Sequence, residues 1–194
     1  MPNLQDVIQR EIRSEERLLW TGAPRQGLRL RPADSFMIPF SLVWGGFAIF
    51  WEYSVIHDVS SHGSHPPLFM ALWGIPFVAV GLYLIVGRFF ADAYQRTRTL
   101  YAVTDQRILI ATMWWNKEVK SLSLKTLPQI TLAEKSDGSG TLTFGAQPAT
   151  ALAAGGGWPG TRKQAAPAFE FVERVRSVHD LIQGLLNEED RRRR

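Results

Sequence analysis

The chain has no cysteine, so its 194 residues can form no disulfide and can supply no thiolate nucleophile or thiolate metal ligand. It also lacks the H-E-x-x-H and G-x-S-x-G patterns of common hydrolases. No continuous apolar segment opens the chain, and we therefore expect no cleavable signal peptide. These absences favour a protein that is not an enzyme, with no catalytic residues and no cofactor.

Charged side chains are missing from two long stretches, 35–51 and 66–87. A bilayer core about 30 Å thick needs about 20 helical residues to cross it. The second stretch reaches that length by itself, and the first does so if its helix continues through Glu52 to about Ile56. The sequence therefore predicts a transmembrane helical hairpin over 35–87, with an external loop at about 57–65.

Lysine and arginine are also absent from the loop between the two stretches, whereas arginines flank the hairpin on its other side. Because basic residues collect on cytoplasmic flanks, we expect a multi-pass protein of the inner (plasma) membrane with both termini in the cytoplasm. The topology-setting residues are Arg25, Arg29 and Arg31 before the first helix, and Arg88, Arg96 and Arg98 after the second. The net charge of +4 then indicates attraction to anionic lipids rather than nucleic acid.

Small residues recur within both apolar stretches and let transmembrane backbones approach closely. They predict a helix–helix contact that is formed by Gly45, Gly46, Gly74 and Gly81. No ionisable residue is expected deep in either stretch, which counts against transport and intramembrane catalysis.

The external loop contains possible metal ligands, namely His57, Asp58, His62 and His65. Imidazole and carboxylate groups suit zinc or copper, but the spacing matches no known signature. We expect a solvated connector and no metal site, with metal binding as the alternative.

Near the N-terminus, residues 3–19 place apolar side chains at helical spacing, which predicts an amphipathic helix. It would either lie in the membrane interface or pack on the soluble domain. Residues 17–21 predict a short strand.

After the hairpin, the apolar pattern changes to the alternation that is typical of strands. Two alternating runs surround the turn at Asp105 and Gln106, and further strands lead to an amphipathic helix over 173–186. The stretch 147–167 has no periodicity and predicts a flexible loop; its G-x-G-x-x-G at 155–160 lacks the strand and helix that a dinucleotide site needs. The pattern is α+β.

Several segments resemble bacterial pleckstrin-homology-like (PH-like) membrane proteins of the YdbS type. They are EERLLWTGAP at 15–24, YAVTDQRILI at 101–110, LPQITLAEKSDGSGTLTF at 127–144 and AFEFVERVRSVHDLI at 168–182. The resemblance implies a PH-like antiparallel barrel or sandwich, capped by the C-terminal helix and completed by the strand before the membrane. It also implies a non-enzymatic scaffold or accessory role. Eukaryotic relatives bind phosphoinositides through basic residues at the first hairpin, where this chain has only Arg107.

Trp114 and Trp115, with Lys117, are expected at the tip between two strands. Exposed tryptophan at a loop tip is costly unless it meets an interface. We therefore hypothesise a membrane or partner contact at Trp114, Trp115, Lys117 and Arg107, the alternative being that the indoles pack on the domain itself.

These interpretations divide the chain into an N-terminal helix and strand at 1–34, the hairpin at 35–87 and a cytoplasmic PH-like domain at 88–194. The predicted function is a non-enzymatic membrane scaffold for protein partners. The alternative is a lipid- or ligand-sensing receptor module that binds anionic headgroups. Membrane lipids and proteins are the expected partners, self-association stays open, and nucleic acid is not expected.

Overall fold

The computed structural model of the chain describes residues 4–30, 34–62, 68–113, 116–127, 129–146 and 166–193. The described residues form two compact units. One contains residues from 1–27, 93–149 and 165–194, and the other contains residues from 28–92. The chain is a mixture of helices and antiparallel sheets, as the α+β prediction requires.

Long helices form the second unit, which we call the helical unit. α2 spans Asp34–His62 and α3 spans Leu68–Leu82; a π-helical turn at Tyr83–Gly87 then leads into α4 at Arg88–Thr97, of which residues 93–97 belong to the other unit. The predicted external loop begins at about residue 57, where the first candidate membrane span also ends; the helix α2 itself continues to His62. From His57 to His62 the sequence has no glycine or proline that would end the helix; Gly63 and Pro66 follow.

Two helical segments are long and apolar enough to cross a membrane, namely 34–57 and 72–97. Only 22% of each segment's most apolar window is buried within the protein. The core helix of a soluble protein would have most of its surface covered. The apolar surface of these helices therefore faces outward.

The other unit, which we call the sheet unit, contains two antiparallel sheets. The first sheet has the order β1-β2-β3-β4 and the second has the order β5-β6-β7. The strands are β1 at Leu18–Gly22, β2 at Thr99–Thr104, β3 at Arg107–Met113, β4 at Lys117–Ser123, β5 at Ile130–Glu134, β6 at Gly140–Phe144 and β7 at Ala168–Val172. A short 3-10 turn at Leu124–Thr126 joins the sheets, and α5 at Val175–Arg193 ends the described chain. Among the described residues, the two sheets are not closed into a barrel.

Two strands that are far apart in the sequence meet in the first sheet. β1, which precedes the hairpin, pairs antiparallel with β2, which follows it, and Trp20 lies opposite Val103. The resemblance implied that the strand before the membrane completes the sheet, and the structure pairs this strand with β2. This pairing means that the helical unit is inserted between two neighbouring strands of one sheet.

The main core contains side chains from both sheets and from α5. On β2, Tyr101 and Val103 point into this core, whereas Ala102 between them points to the other face, as strand geometry requires. The buried members are Tyr101, Val103, Ile108, Ile110, Leu124, Leu142, Phe144, Phe169, Val172, Val175, Val178 and Ile182.

The first sheet is also covered on its other face. α1, at Leu4–Glu11, buries Val7 and Ile8 against a second cluster with Ala102, Leu109 and Ala111. Of the two alternatives for the N-terminal helix, the structure has the packed one. Alanines on the sheet leave room for the helix to lie close.

Candidate functional site

The helical unit has a line of close contacts between α2 and the helix that follows, which we call the seam. A Cβ on Gly81 would lie 2.8 Å from the Cα of Gly45, so the two backbones touch there. Ser41 and Ala48, which share this side of α2, are buried. Gly45 and Gly81 therefore act as the sequence predicted.

The other two glycines of the predicted contact, Gly74 and Gly46, differ in what surrounds them. A Cβ on Gly74 would collide with the carboxylate of Glu52, so Gly74 provides the space that this side chain fills. A Cβ on Gly46 would meet nothing within 4 Å. The prediction that Gly46 packs on the partner helix is therefore wrong, because one residue of helix turns it about 100° away from Gly45.

An ion pair lies at the opposite end of the seam from Glu52. Arg88 Nη1 is 2.9 Å from Asp34 Oδ1, and the arginine side chain is only 4% exposed. Arg88 was predicted to set the topology through its charge; it also joins the first turn of α2 to the start of α4. Glu52 faces α3, and its Oε2 is buried without a hydrogen-bond partner among the described residues.

The remaining topology-setting arginines occupy different environments. Arg96 is buried; its Nη2 donates to the Gly27 carbonyl at 2.8 Å, and its guanidinium lies over the ring of Phe171. Arg98 lies over the ring of Tyr94. Arg29 is half-buried, and Arg31 lies outside the described residues.

A cavity of about 560 Å³ lies in the sheet unit, between the end of β1 and the start of α5. We call it the corner cavity. Trp20, Val172 and Val178 supply apolar lining, Arg25 and Arg174 supply positive charge, and Glu173 supplies a carboxylate beside Arg25. This combination suits a ligand or peptide with an apolar part and an anionic group.

The edge of β7 that faces away from β6 lies beside the corner cavity. Its backbone forms hydrogen bonds with Tyr101 and Arg25. The Tyr101 hydroxyl accepts a hydrogen bond from the Glu170 N–H at 3.0 Å. The Arg25 N–H donates to the Phe171 carbonyl at 2.9 Å. Strand addition at this edge would have to displace both bonds.

Arg25 also holds the turn between β5 and β6. Its Nη1 donates to Asp137 Oδ2 at 2.7 Å, and its Nε lies 3.4 Å from Glu173. Hydrogen bonds from the Ser139 hydroxyl and N–H, with a smaller contribution from Arg25, lower the pKa of Asp137 to about 2. The charge of Arg25 is therefore largely balanced by carboxylates.

The predicted contact residue Arg107 binds the N-terminal segment. Its Nε and Nη2 donate to the two oxygens of Glu16, each at 2.8 Å, and Nη2 also donates to the Glu11 carbonyl. The Thr104 hydroxyl donates a further hydrogen bond to Glu16 Oε1 at 2.6 Å. The other predicted basic residue, Lys117, pairs with the Glu11 carboxylate at 2.8 Å.

The Glu16 side chain is fully buried, and Arg107 is 17% exposed. Burial raises the pKa of Glu16, but the hydrogen bonds from Arg107, Thr104 and the Arg13 N–H outweigh burial and lower it to about 2. The same pair raises the pKa of Arg107. Both groups are charged at neutral pH, and the arginine is committed to the carboxylate.

The aromatic half of the predicted contact, Trp114 and Trp115, lies outside the described residues, as does almost all of the predicted flexible loop at 147–167. In the described part of the chain, no three His, Asp or Glu side chains come close enough to hold a metal ion. His65 and the side chains of Asp58 and His62 are not described.

No protein-family model, curated protein or solved structure matches the chain. The function is therefore argued from the geometry of the two units.

Proposed function

From the outward-facing apolar helices we propose that the chain is an integral protein of the bacterial inner membrane, a non-enzymatic scaffold or accessory module. It holds its sheet unit in the cytoplasm, where protein partners bind. The exposed apolar surface of the two candidate spans is the observation that carries this proposal.

Three side chains of the helical unit illustrate how much free energy exposure of its apolar surface to water would cost. Val43 is 75% exposed, Phe36 is 71% exposed and Phe50 is 66% exposed. Leaving one large apolar side chain in water rather than in an apolar medium costs about 1.5–3 kcal/mol. Over both helices the cost reaches the order of tens of kcal/mol, and lipid chains would remove it.

The arginines at both ends of the hairpin support the orientation, with the sheet unit on the cytoplasmic side. Two antiparallel sheets around one core, followed by a C-terminal helix, support the PH-like fold. In this arrangement the hairpin is an anchor, and the sheet unit carries the binding surfaces.

We place the partner contact at the corner cavity, where Ser177 is exposed at the rim. A tagged full-length chain, crosslinked in native membranes and purified in mild detergent, should recover a specific protein that mass spectrometry identifies. Ser177→Trp should reduce the recovery severalfold by filling the cavity. Ser136→Trp, on the exposed turn after β5, is the matched control and should leave it unchanged.

Recovery of no protein above the untagged background would contradict the scaffold function. Equal recovery with Ser177→Trp and Ser136→Trp would contradict its location at the corner cavity.

The second candidate function, an anionic lipid or ligand sensor, is favoured by Arg174 beside the apolar lining of the same cavity. It predicts that anionic lipid co-purifies with the full-length chain. Arg174→Glu should then lower the amount of bound lipid, as measured by mass spectrometry. Unchanged lipid content would exclude this function.

A further inference from the structure

β4 forms an end of the first sheet, since it pairs with β3 and is last in the strand order. It has seven residues, and Lys117, Glu118 and Ser121 on it are exposed. A strand edge of this length presents a row of N–H and C=O groups that another strand can use.

Strand geometry identifies which backbone groups of β4 point outward. Beside the pair Arg107–Ser123, the Leu124 N–H donates to the Gln106 carbonyl at 2.9 Å. Because bonded positions alternate in an antiparallel ladder, residues 118, 120 and 122 point their backbone groups at β3. Residues 117, 119 and 121 point theirs outward, and the described chain provides no other strand beside them.

The side chains of β4 are complementary to those of a second, antiparallel copy in one register. If Val119 lies on a two-fold axis, it faces Val119 of the second copy, and Glu118 faces Lys120 of the second copy on both sides of the axis. If Lys120 lies on the axis, two lysines face each other, which destabilises a strand pair. Lys120 Nζ already lies 3.7 Å from Glu118 within one chain, so both groups are on the same face of the sheet.

We propose that two copies of the chain pair through β4, antiparallel and with Val119 on the two-fold axis. The amide and carbonyl of Val119 then bond reciprocally across the axis, and two four-stranded sheets become one continuous sheet. The occupant of this edge is a second copy because the charge order on β4 is self-complementary. This pairing goes beyond the proposed scaffold function and does not depend on it.

The absence of cysteine allows a direct test by disulfide formation in the full-length chain. Residues that face each other in a bonded antiparallel pair have Cα atoms about 5.5 Å apart, within the range that a disulfide spans. Val119→Cys, oxidised in membranes, should therefore give a covalent dimer of the 21.9 kDa chain on a non-reducing gel.

Ser123→Cys is the control, since Ser123 is an accessible position of β4 on the same face as Val119. In the proposed register the two Ser123 positions are about 27 Å apart, from about 3.4 Å per residue over eight residues. The Ser123→Cys chain should therefore give no covalent dimer. Failure of Val119→Cys to crosslink, or equal crosslinking of Ser123→Cys, would overturn the proposal.

Exchanging the charges of Glu118 and Lys120 tests which residues of the two β4 strands face each other. In the Val119→Cys chain, Lys120→Glu places a carboxylate opposite Glu118 on both sides of the axis and should lower the dimer yield about tenfold. Adding Glu118→Lys restores opposite charges and should restore the yield. If the double exchange stays as low as the single one, the register is wrong.

Discussion

Glu16 joins the N-terminal segment to the β2–β3 hairpin, and Glu16→Gln tests how much this junction stabilises the sheet unit. The amide keeps the size of the side chain but removes its charge. Arg107 then loses a carboxylate that accepts two of its hydrogen bonds, at 2.8 Å each. Thr104 retains an oxygen to which it can donate.

Two approaches give the expected decrease in the free energy of unfolding. Removing one partner of a buried ion pair costs about 3–5 kcal/mol, and the lower end applies because Arg107, at 17% exposed, keeps some hydration. Independently, the pKa of Glu16 falls from 4.5 to about 2, which corresponds to about 3 kcal/mol at about 1.4 kcal/mol for each pKa unit. We therefore expect Glu16→Gln to lower the free energy of unfolding by about 3 kcal/mol at pH 7.

The pH dependence follows from the sign of the shift. A carboxyl whose pKa is lower in the folded state stabilises that state above its unfolded pKa, and the contribution disappears as the pH falls through the folded pKa. For Glu16 this range extends from about 4.5 down to about 2. The difference between the two chains should shrink from about 3 kcal/mol at pH 7 to about 1 kcal/mol at pH 3. Asp137 also titrates here, but both chains contain it.

Urea unfolding of the detergent-solubilised chains, followed by tryptophan fluorescence at pH 7 and pH 3, measures both differences. Trp20, which packs on Phe169 in the sheet unit, reports the transition. A loss below about 0.5 kcal/mol at pH 7, or a difference that does not change with pH, would refute the reasoning.

Other substitutions give further expectations. Gly81→Ala should lower the thermal midpoint of the helical unit in detergent, at a cost of about 1–3 kcal/mol from overpacking, whereas Gly46→Ala should leave it unchanged or raise it. Equal thermal midpoints for Gly81→Ala and Gly46→Ala would contradict the close backbone contact at the seam. Tyr101→Phe leaves the Glu170 N–H without its partner and should cost about 1–2 kcal/mol in urea unfolding; a change near zero would show that the bond is dispensable. Ile8→Ala should cost about 3 kcal/mol and speed amide exchange on β3, and unchanged exchange would show that α1 does not protect the sheet.

Local patterns predicted most of the secondary structure, although α1 ends at Glu11 and the predicted helix covers residues 3–19. The alternation on both sides of Asp105 and Gln106 predicted the β2–β3 hairpin, and uncharged runs predicted two membrane-length helices. The predicted end of the first membrane run, near Ile56, agrees with the candidate span, whereas α2 continues to His62, because hydropathy marks where a membrane would end and helix termination depends on glycine and proline.

The contact between Glu16 and Arg107 was not predictable in this way. Glu16 and Arg107 are 91 residues apart, and no spacing rule connects them. The pairing of β1 with β2, in which Leu18 lies opposite Thr104, and the hydrogen bonds between Arg17 and Asp105 bring Glu16 to the hairpin. Helix phase could have separated Gly46 from Gly45, since adjacent helical residues cannot face the same partner, and it could have placed Glu52 on the side of Gly45 and Ala48.

Cysteine accessibility tests the central proposal, a membrane anchor with a cytoplasmic sheet unit, most directly. Ser64→Cys lies between α2 and α3 in the sequence, and Ser136→Cys lies on the exposed turn after β5. In spheroplasts, a membrane-impermeant maleimide should label Ser64→Cys at once and Ser136→Cys only after the membrane is opened. Labelling of both positions before the membrane is opened, or of Ser136→Cys alone, would contradict the proposed topology.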